Sequence, residues 1–537
     1  MNHPQAAASR RSFLSRSLAA GGLAAVSLPG TACAVDATPP GGALNVRDFG
    51  ARGDGAALDT AALQQAIEAC AAHGGGTVCF PPGRYLSGTL RLKSRVRLWL
   101  ESGATLLGSP RLADYPATVP SLASYTDTYT ARSLLYAEQA EQIGIAGQGV
   151  IDGQGAAFQG PYQVRPYLLR VIGCRDVAVR DVTLKDSPMW VQHYLACDGV
   201  RLDGLTVTSK CNANNDGIDI DACQRVRISN CDIRSGDDAL VLKSTLDRPC
   251  RHVVVTNCVL SSDCNAFKLG TESNGGFENI LLSNCALYDT RLAGIALELV
   301  DGGTLDGVSI SHVTMQDVRG PIFIRLGDRA RPFKPGMARP GLGRLRNVRI
   351  SDVQALGAGP IACSITGLPA QPVENISLSH VRIRFAGGAK AADPRRQVPE
   401  KPEAYPEYSM FGVLPAFGFY CRHARNLSFH EVEVETAAPD PRPSLACEEV
   451  DELRLVAWRP PPRAAATPPI LLRNVRQAAI QGCRAPETPG AYLRVSGKTS
   501  AGIRLFANDL AAAARSVDLD ADVPPQAVAV AGQAEGR

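Results

Sequence analysis

Apolar residues two positions apart, then a small polar residue, then a second apolar pair, recur along most of the chain. The unit is visible in "CDGVRLDGLTV", "CQRVRISNCDI", "CRHVVVTNCVL" and "FENILLSNCAL". Alternation with a period of two is typical of half-buried strands. Equivalent apolar residues of successive units lie 23 to 28 positions apart, at Val177, Val200, Val226, Val253, Ile280 and Val308.

A unit of this length cannot bury its apolar face alone, whereas stacked units can. We therefore predict an all-β fold, a right-handed parallel β-helix, in which each coil adds a strand to every sheet about 4.8 Å above the previous one. Equivalent residues then form ladders, as we expect for Asn230, Asn257 and Asn284. β-Propellers need repeats of about forty residues and leucine-rich repeats need a Leu-x-x-Leu-x-Leu frame, so neither fits the pattern.

One early segment has a helical pattern instead. "LDTAALQQAIEACAAHGGG" places Leu63, Ala66, Ile67 and Cys70 on one face and ends in three glycines. We predict an N-terminal capping helix that covers the open end of the first coil and protects its strand edges.

The same pattern sets the predicted domain limits. A single β-helix domain is expected over residues 41–517. Proline-rich stretches near 327–344, 386–412 and 436–468 are predicted loop insertions, because strand-like pairs resume after each of them. Residues 518–537 are predicted to form a disordered tail.

Residues 1–34 have the composition of a targeting segment. Arg10 and Arg11 precede an apolar stretch over 18–28, and Ala-Cys-Ala ends at residue 34 as a cleavage site. The segment resembles a bacterial twin-arginine signal, which implies the twin-arginine export machinery as a partner and an exported, periplasmic or secreted protein. Lipidation of Cys33 is the weaker alternative, because Gly30 stands where a lipobox prefers leucine. No later apolar run approaches the roughly 18 residues of a membrane span, so no membrane association is expected after signal cleavage.

The charge and the cysteine content limit the kinds of partner and cofactor that we expect. The chain has 56 basic and 52 acidic residues, a formal net charge of +4, without a basic stripe, so nucleic acid is not expected as a partner. Sixteen cysteines in an exported chain suggest disulfides, but many of them adjoin apolar runs, which favours buried free thiols over bridges. No cysteine pair has metal-ligand spacing, and we expect no metal or other cofactor and a monomer.

Five aspartates cluster near the middle of the chain. They fall in two groups about one coil apart: Asp216, Asp219 and Asp221, then Asp237 and Asp238. An offset of one coil is expected to place the two groups side by side on the outer face. Carboxyl groups there are expected roughly 6.5 to 9.5 Å apart, the gap in which an inverting glycosidase holds a water. Crowding also raises one pKa, so that one carboxyl can donate a proton while another stays ionised.

The aspartates differ in how strongly they indicate function. In "GIDIDA" the isoleucines are expected to face the core, so Asp219 and Asp221 are expected to point outward, where solvation of an exposed face explains them equally well. Asp216, Asp237 and Asp238 are better explained by catalysis, because adjacent acids in a turn repel each other without structural benefit.

Two motifs resemble those of glycoside hydrolase family 28, the polygalacturonases and their relatives. Asn214-Asn215-Asp216-Gly217 is similar to the family's Asn-Thr-Asp motif, and Gly236-Asp237-Asp238 to its Gly/Gln-Asp-Asp motif. The resemblance covers residues 44–320 and implies the pectate-lyase-like β-helix superfamily. It implies inverting hydrolysis of O-glycosidic bonds in pectin or a related plant or microbial glycan. In that reaction Asp237 is the general acid, and Asp216 and Asp238 hold and deprotonate the attacking water.

The chain departs from the family pattern at the residues that contact the substrate in the family. Asn265 stands where the family has the His of Gly-His-Gly, and asparagine can hydrogen-bond but not titrate. Ala296 and Glu298 stand where the family has the Arg and Lys that grip the galacturonate carboxylate, so Glu298 is expected to repel a uronate. Cations from neighbouring coils are candidate replacements. The predicted substrate-binding residues are Asn214, Asn265, Lys243, Lys268 and Glu298, with Arg291 as a further candidate cation.

Two other functions fit parts of the pattern. Clustered aspartates bind Ca²⁺ in pectate-type lyases, although no arginine base is evident here. β-Helices also bind glycans without turning them over. Trp190 and His193 fit either a sugar-stacking platform or a packed corner of the coil. The sugar, the linkage and endo or exo action are not determined by these motifs.

Overall fold

The structure, a computed structural model, describes residues 42–122, 124, 129–389, 396–462 and 466–533. The predicted signal segment and Cys33 lie outside the described residues. The first coils consist of short strands separated by tight turns. These strands are β1 Leu44–Asn45, β2 Asp54–Leu58, β3 Gly76–Phe80, β4 Gly83–Ser87, β5 Leu90–Arg91, β6 Val96–Leu100, β7 Ala104–Gly108, β8 Ser133–Glu138, β9 Gly144–Gly147 and β10 Val150–Asp152.

The middle coils repeat three strands each with regular spacing. They are β11 Tyr167–Ile172, β12 Arg175–Arg180, β13 Thr183–Lys185, β14 Gln192–Leu195, β15 Asp198–Asp203, β16 Thr206–Ser209, β17 Ile218–Asp221, β18 Gln224–Ser229, β19 Asp232–Ser235, β20 Leu240–Ser244, β21 Cys250–Thr256, β22 Val259–Ser262 and β23 Phe267–Ser273.

In the later coils the strands lengthen and bend through the corners, and they shorten again at the end. They are β24 Phe277–Leu299, β25 Thr304–Leu326, β26 Arg344–Ala358, β27 Cys363–Thr366, β28 Val373–Gly387, β29 Phe419–Ala438, β30 Leu445–Val456, β31 Ile470–Arg473, β32 Ala479–Gln481, β33 Thr488–Ser496, β34 Ile503–Phe506, β35 Ala513–Leu519 and β36 Val528–Ala531. Short 3₁₀ turns lie at Val46–Phe49, Leu112–Asp114, Gly155–Ala157, Tyr162–Val164 and Pro525–Ala527.

The pairings between the strands given above are parallel and join each strand to its counterpart one coil away, which gives the predicted right-handed parallel β-helix. Three sheets run along the axis. We call third sheet the one that contains β14, β17, β20, β23 and the last residues of β24 and β25. The predicted repeat spacing is confirmed, because Val177, Val200, Val226, Val253, Ile280 and Val308 pair in one continuous register.

The apolar positions of the repeat fill the inside of the coil. Ile218 and Ile220 belong to this core, as predicted. The fifteen described cysteines are all free, and thirteen of them are buried, in agreement with the preference for core thiols. The predicted asparagine ladder is confirmed in part: Asn257 Nδ2 lies 3.4 Å from Asn230 Oδ1, whereas Asn284 Nδ2 lies 3.5 Å from Thr256 Oγ1.

The single α-helix among the described residues is α1, Thr60–Ala72. It buries Leu63, Ala66, Ile67 and Cys70, the face that the sequence pattern predicted. The helix packs against β1, β3, β5 and β6, the strands of the first coils. No helix in the described part of the chain combines the length and apolar character needed to cross a membrane.

Two predicted irregular segments are wrong in part. The insertion expected over 436–468 contains β30, because Val450, Leu453 and Leu455 continue the apolar ladder into the core. The tail expected to be disordered from residue 518 instead continues the coil as far as β36, which pairs with Ile503–Phe506. In both places a weak apolar pattern suffices because the neighbouring coil supplies the hydrogen-bonding edge.

Candidate active site

The two aspartate groups meet where β17 and β20 begin on the third sheet. Asp216 precedes β17 and Asp237-Asp238 precede β20, and the two turns are joined by a 2.9 Å hydrogen bond from Gly217 N to Asp238 O. A Cβ on Gly217 would lie 2.4 Å from Ala239 O, so only glycine allows the turns to approach this closely. The predicted offset of one coil is therefore confirmed.

The carboxyl groups are closer together than the sequence predicted. One carboxylate oxygen from each of Asp216, Asp237 and Asp238 lies within 4.8 Å of one from each of the others. The expected gap of roughly 6.5 to 9.5 Å assumed that side chains extend across two coils, whereas the turns bring all three carboxyls to one point. The separation alone therefore does not indicate an inverting reaction.

Asp237 is the half-buried member of the three, and its carboxyl is held by local contacts. Its Oδ1 accepts a 2.9 Å hydrogen bond from Asp238 N, and its Oδ2 lies 3.5 Å from Asn214 Nδ2. Asn214 in turn accepts a 3.0 Å hydrogen bond from Arg165 Nη2. Asn214, predicted to bind substrate, thus orients Asp237 from the preceding coil.

Asp238 is buried and is held by the coil that follows it. Asn265 donates to Asp238 Oδ1 from Nδ2 at 2.8 Å and from its main-chain N at 3.2 Å. The side-chain oxygen of Asn265 accepts a 2.9 Å hydrogen bond from Ala293 N, one coil further on. Asn265 was predicted to contact the substrate directly. It is only 1% exposed, and in the structure it bridges Asp238 to the next coil.

Lys268 supplies a buried positive charge next to Asp238. Its Nζ lies 3.1 Å from Asp238 Oδ2, 3.6 Å from Glu298 Oε2 and 3.3 Å from the Tyr405 hydroxyl. Burial alone would lower the pKa of Lys268, but the carboxylates of Asp238 and Glu298 outweigh it and hold the pKa well above its usual value. The lysine therefore stays charged.

Glu298 does not face a substrate, contrary to the sequence prediction. Its side chain is 0% exposed and lies under Lys268. Burial raises the pKa of Glu298 to about 8, despite the opposing charge of Lys268. The raised pKa favours the protonated form, so Glu298 presents less negative charge to a ligand above it than an exposed glutamate would.

Lys243 lies on the neighbouring coil in a second buried ion-pair group. Its Nζ is 3.3 Å from Glu272 Oε2, 3.6 Å from Asp219 Oδ1 and 4.7 Å from the centre of the Trp190 ring. Arg331 contacts Glu272 at 3.0 Å and keeps 40% of its side chain exposed. By contrast, the candidate cation Arg291 lies on the surface, paired with Asp263.

Asp219 and Asp221 point away from the core, as predicted, but they are buried rather than solvated. Asp221 accepts hydrogen bonds from Thr245 N at 2.9 Å and Thr245 Oγ1 at 2.7 Å, and lies 3.4 Å from His193 Nε2. His193 is fully buried and Trp190 almost so, which makes them a packed corner and not an open platform. Tyr129, from the segment between β7 and β8, packs against Trp190 and contributes to this burial.

Sequence reasoning missed a segment that reaches the site from a distant coil. The chain between β28 and β29 brings Tyr405 to Lys268, 137 residues earlier in the sequence. Tyr405 is 53% exposed, and Glu407 lies close enough for its charge to act on Glu298. Burial raises the pKa of Glu407 to about 7. The aromatic run "EAYPEYSM" was the available signal, although nothing local tied it to the aspartates.

The electrostatics of Asp216 and Asp237 favour retention of a proton. Burial, followed by the charge of Asp237, raises the pKa of Asp216 well above its usual value. Burial and then the charge of Asp238 raise the pKa of Asp237, and Lys268 partly offsets this rise. Asp216 and Asp237 therefore titrate as a pair, which retains a proton that Asp237 can donate.

These three carboxyls could also hold a cation. Their oxygens are the ligand type that Ca²⁺ prefers. However, Lys268 Nζ lies 3.1 Å from Asp238 Oδ2 and already supplies positive charge there. The arrangement is that of a proton-transfer site with its own internal cation.

Residues 87–401 match the model of glycosyl hydrolases family 28, which is more than half of the chain. The chain belongs to this family. It is 31% identical over 215 residues to a probable polygalacturonase of Vitis vinifera, covering 37% of this chain and 44% of that protein. It is 41% identical over 120 residues to an exo-poly-alpha-D-galacturonosidase of Dickeya chrysanthemi, covering 21% of this chain and 19% of that protein. The chain thus matches less than half the length of these family 28 relatives.

The fold of this family 28 chain is also similar to that of a solved exopolygalacturonase of Thermotoga maritima. The TM-score is 0.58 with 23% sequence identity, over 74% of this chain and 93% of that one. At this identity the similarity establishes the β-helix fold and leaves the chemistry to the residues of the site.

Proposed function

We propose that the protein is an exported polysaccharide hydrolase of the polygalacturonase type, acting on pectin or a related glycan. The observation that carries this proposal is the convergence of the Asp216, Asp237 and Asp238 carboxyls within 4.8 Å. Glycoside hydrolysis needs a carboxylic acid and a carboxylate within reach of the same glycosidic bond, and two consecutive coils of a family 28 fold supply both.

In the proposed reaction Asp237 protonates the glycosidic oxygen. It is the half-buried member of the three, and its raised pKa, caused first by burial, keeps it protonated at a higher pH than an ordinary aspartate. With the retained proton on Asp237, Asp216 is ionised, so Asp216 and Asp238 can hold the attacking water between them and accept its proton. Lys268 and Asn265 fix Asp238 for this role by an ion pair and a hydrogen bond.

We propose that the reaction inverts the anomeric carbon. The short separation would also allow direct attack by a carboxylate, as in retaining enzymes. The third carboxyl supports inversion, because two carboxylates can position a water that one alone would not hold. Proton NMR of the first product decides between the two: an inverted anomer supports this mechanism, and a retained anomer would assign Asp216 or Asp238 as a nucleophile.

Binding of a uronate is proposed to rest on Arg331 and on the field of Lys243 and Lys268. The two lysines are buried and paired, so they act through their charge and not by direct contact with a substrate. Arg331 pairs with Glu272 and Asp301 and keeps 40% of its side chain exposed, so it adds positive charge next to Lys243. This arrangement replaces the missing Arg and Lys at Ala296 and Glu298.

Export through the twin-arginine machinery is proposed from Arg10, Arg11 and the apolar stretch that follows them. Replacement of both arginines by lysine should leave the protein in the cytoplasm of a bacterial host. Fractionation of the host cells with antibody detection tests this, and unchanged export of the variant contradicts it.

The proposed activity is tested by release of reducing ends from polygalacturonic acid in the presence of a chelator. Asp237→Asn should abolish release while retaining substrate binding, and Asp232→Asn on β19 is the matched surface control. An unsaturated product that absorbs in the ultraviolet and requires Ca²⁺ would instead establish a lyase. Binding with no turnover in the wild type would establish a non-catalytic glycan-binding protein.

A further inference from the structure

A second group of ionisable side chains lies on the outside of the later coils, at a turn that is repeated in every coil. In the earlier coils this turn carries the asparagine ladder, in the left-handed conformation with φ of 58°, 55° and 54°. The same turn position is taken in later coils by His312, Asp352, His380 and Glu431, whose φ angles are 54°, 55°, 52° and 52°. A ladder of amides thus becomes a ladder of histidines and carboxylates.

The strand register fixes these residues one above another. Ser351 pairs with Ser379, and Ser379 pairs with His430, so Asp352, His380 and Glu431 follow at the same level in β26, β28 and β29. The spacing is imposed by the backbone of adjacent coils and does not depend on a flexible loop. Because each member is held by a sheet, the group is organised before any ligand binds.

His380, His430 and Glu431 each offer one ligand atom, and these atoms lie within 4.8 Å of one another. His380 Nε2 is 3.6 Å from Glu431 Oε2. Ligands on a tetrahedral zinc ion, with bonds of about 2.0 to 2.1 Å, stand about 3.3 Å apart, so small side-chain rotations would complete the geometry. Two imidazoles and a carboxylate are a donor set that zinc prefers over calcium.

Asp352 strengthens this interpretation because it lies on the other side of the same imidazole. Its Oδ1 is 3.8 Å from His380 Nδ1, while Nε2 of that ring faces Glu431. This is an ion-pair distance; a small rotation would let Asp352 accept a hydrogen bond from Nδ1, which orients a histidine so that the other nitrogen can bind a metal. The column therefore contains three potential ligands and an orienting partner for one of them.

We propose that His380, His430 and Glu431 form a surface zinc site, with Asp352 orienting His380. All three ligand residues are exposed, so an ion can reach them and water can complete the coordination. Since His380 comes from β28 and the other two from β29, a bound ion cross-links adjacent coils. The site is separate from the carboxyls of the candidate active site and does not depend on the proposed hydrolase activity.

The test is zinc titration of the full chain in competition with a chromophoric chelator, with Ca²⁺ as the comparison ion. His380→Gln and His430→Gln should each lose one equivalent of zinc, and Asp352→Asn should weaken that equivalent about 10- to 100-fold. His252→Gln, an exposed histidine on β21, should bind as the wild type does. Zinc should also raise the melting temperature of the wild type and of His252→Gln but not that of His380→Gln.

Equal stoichiometry and affinity in the wild type and in both ligand variants would overturn the proposal. So would displacement of the zinc by equimolar Ca²⁺, because a site with two imidazole ligands should discriminate against calcium. Circular dichroism of each variant establishes that it is folded before these outcomes are compared. These readouts do not involve turnover of any glycan.

Discussion

Lys268 Nζ lies 3.1 Å from Asp238 Oδ2, with both side chains almost completely buried. The pair joins β23 to the turn before β20, so the charge that balances the aspartates comes from the protein itself. A buried pair of this kind costs desolvation energy, and removal of one partner leaves the other uncompensated. The behaviour of the carboxyls should therefore change when Lys268 is replaced.

The first prediction concerns Lys268→Met and the pH dependence of hydrolysis. Lys268 lowers the pKa of Asp237 against the larger effect of burial, so its removal should raise that pKa further. Because the general acid works in its protonated form, the alkaline limb of the kcat/KM profile should move to higher pH. Stability should fall by about 3 to 5 kcal/mol.

The measurement is kcat/KM against pH at a temperature where the variant remains folded. Lys210→Met is the control, since Lys210 is an exposed lysine paired with Asp263. An alkaline limb that stays in place, or moves to lower pH, would show that Lys268 does not act on the general acid.

The second prediction concerns Asn265, which accepts from Ala293 N and donates to Asp238. Asn265→Ala leaves a buried N–H without its acceptor and should cost about 1 to 3 kcal/mol in urea unfolding. It should also lower kcat more than it raises KM, because Asn265 orients Asp238 and does not touch substrate. Asn257→Ala, in the exposed ladder, should cost less than about 0.5 kcal/mol and leave both constants unchanged.

The third prediction concerns Tyr405, the exposed ring next to Lys268. If the ring stacks on a sugar, Tyr405→Ala should raise KM about 3- to 10-fold, corresponding to about 1 kcal/mol, with a smaller effect on kcat. Tyr405→Phe keeps the ring and loses the hydroxyl contact to Lys268, so its KM should stay near that of the wild type. Equal KM values for Tyr405→Ala and the wild type would show that the ring does not contact the substrate.

The fourth prediction concerns the buried acid Glu298, whose pKa is raised to about 8 chiefly by burial. The unfolded chain ionises Glu298 near pH 4, so the folded state binds more protons between these values. Stability contributed by the protonated form is therefore complete below about pH 4 and is lost as the pH rises towards 8.

Glu298→Gln should remove this dependence. Relative to the variant, the wild type should lose at most about 1.4 kcal/mol per pH unit between pH 5 and 8. Urea unfolding at several pH values measures the difference, and Glu278→Gln on the outer face of β24 is the control. Parallel stability curves for wild type and Glu298→Gln would show that Glu298 is ionised in the folded state.

Local sequence pattern predicted the parts of this molecule that repeat. The register through Val177, Val200 and Val226 and the buried face of α1 follow from apolar periodicity, since each coil presents the same problem of burial. The Asp216 and Asp237-Asp238 turns were placed together by counting residues per coil. Glu298 was misjudged because sequence position gave its outward direction but not the loops that cover it.

Contacts between distant coils could not be predicted from the local sequence pattern. Tyr405 reaches Lys268 through a segment whose length and path are not set by the repeat. The spacing of the carboxyls was also misjudged, because turn geometry and not coil height sets it. Weak patterns such as that of β36 form strands only because a preceding edge is already present.

The free cysteines that stack on successive coils bear on whether the chain folds before or after it meets an oxidant. Cys231, Cys258 and Cys285 lie on successive coils with their side chains shielded, and most described thiols are similarly buried. Thiols stacked at coil spacing would cross-link if an oxidant reached them before the coils closed over them. A chain with this arrangement is best folded in a reducing compartment. In the folded protein, the rate at which a thiol reagent modifies each cysteine would measure how often its coil opens.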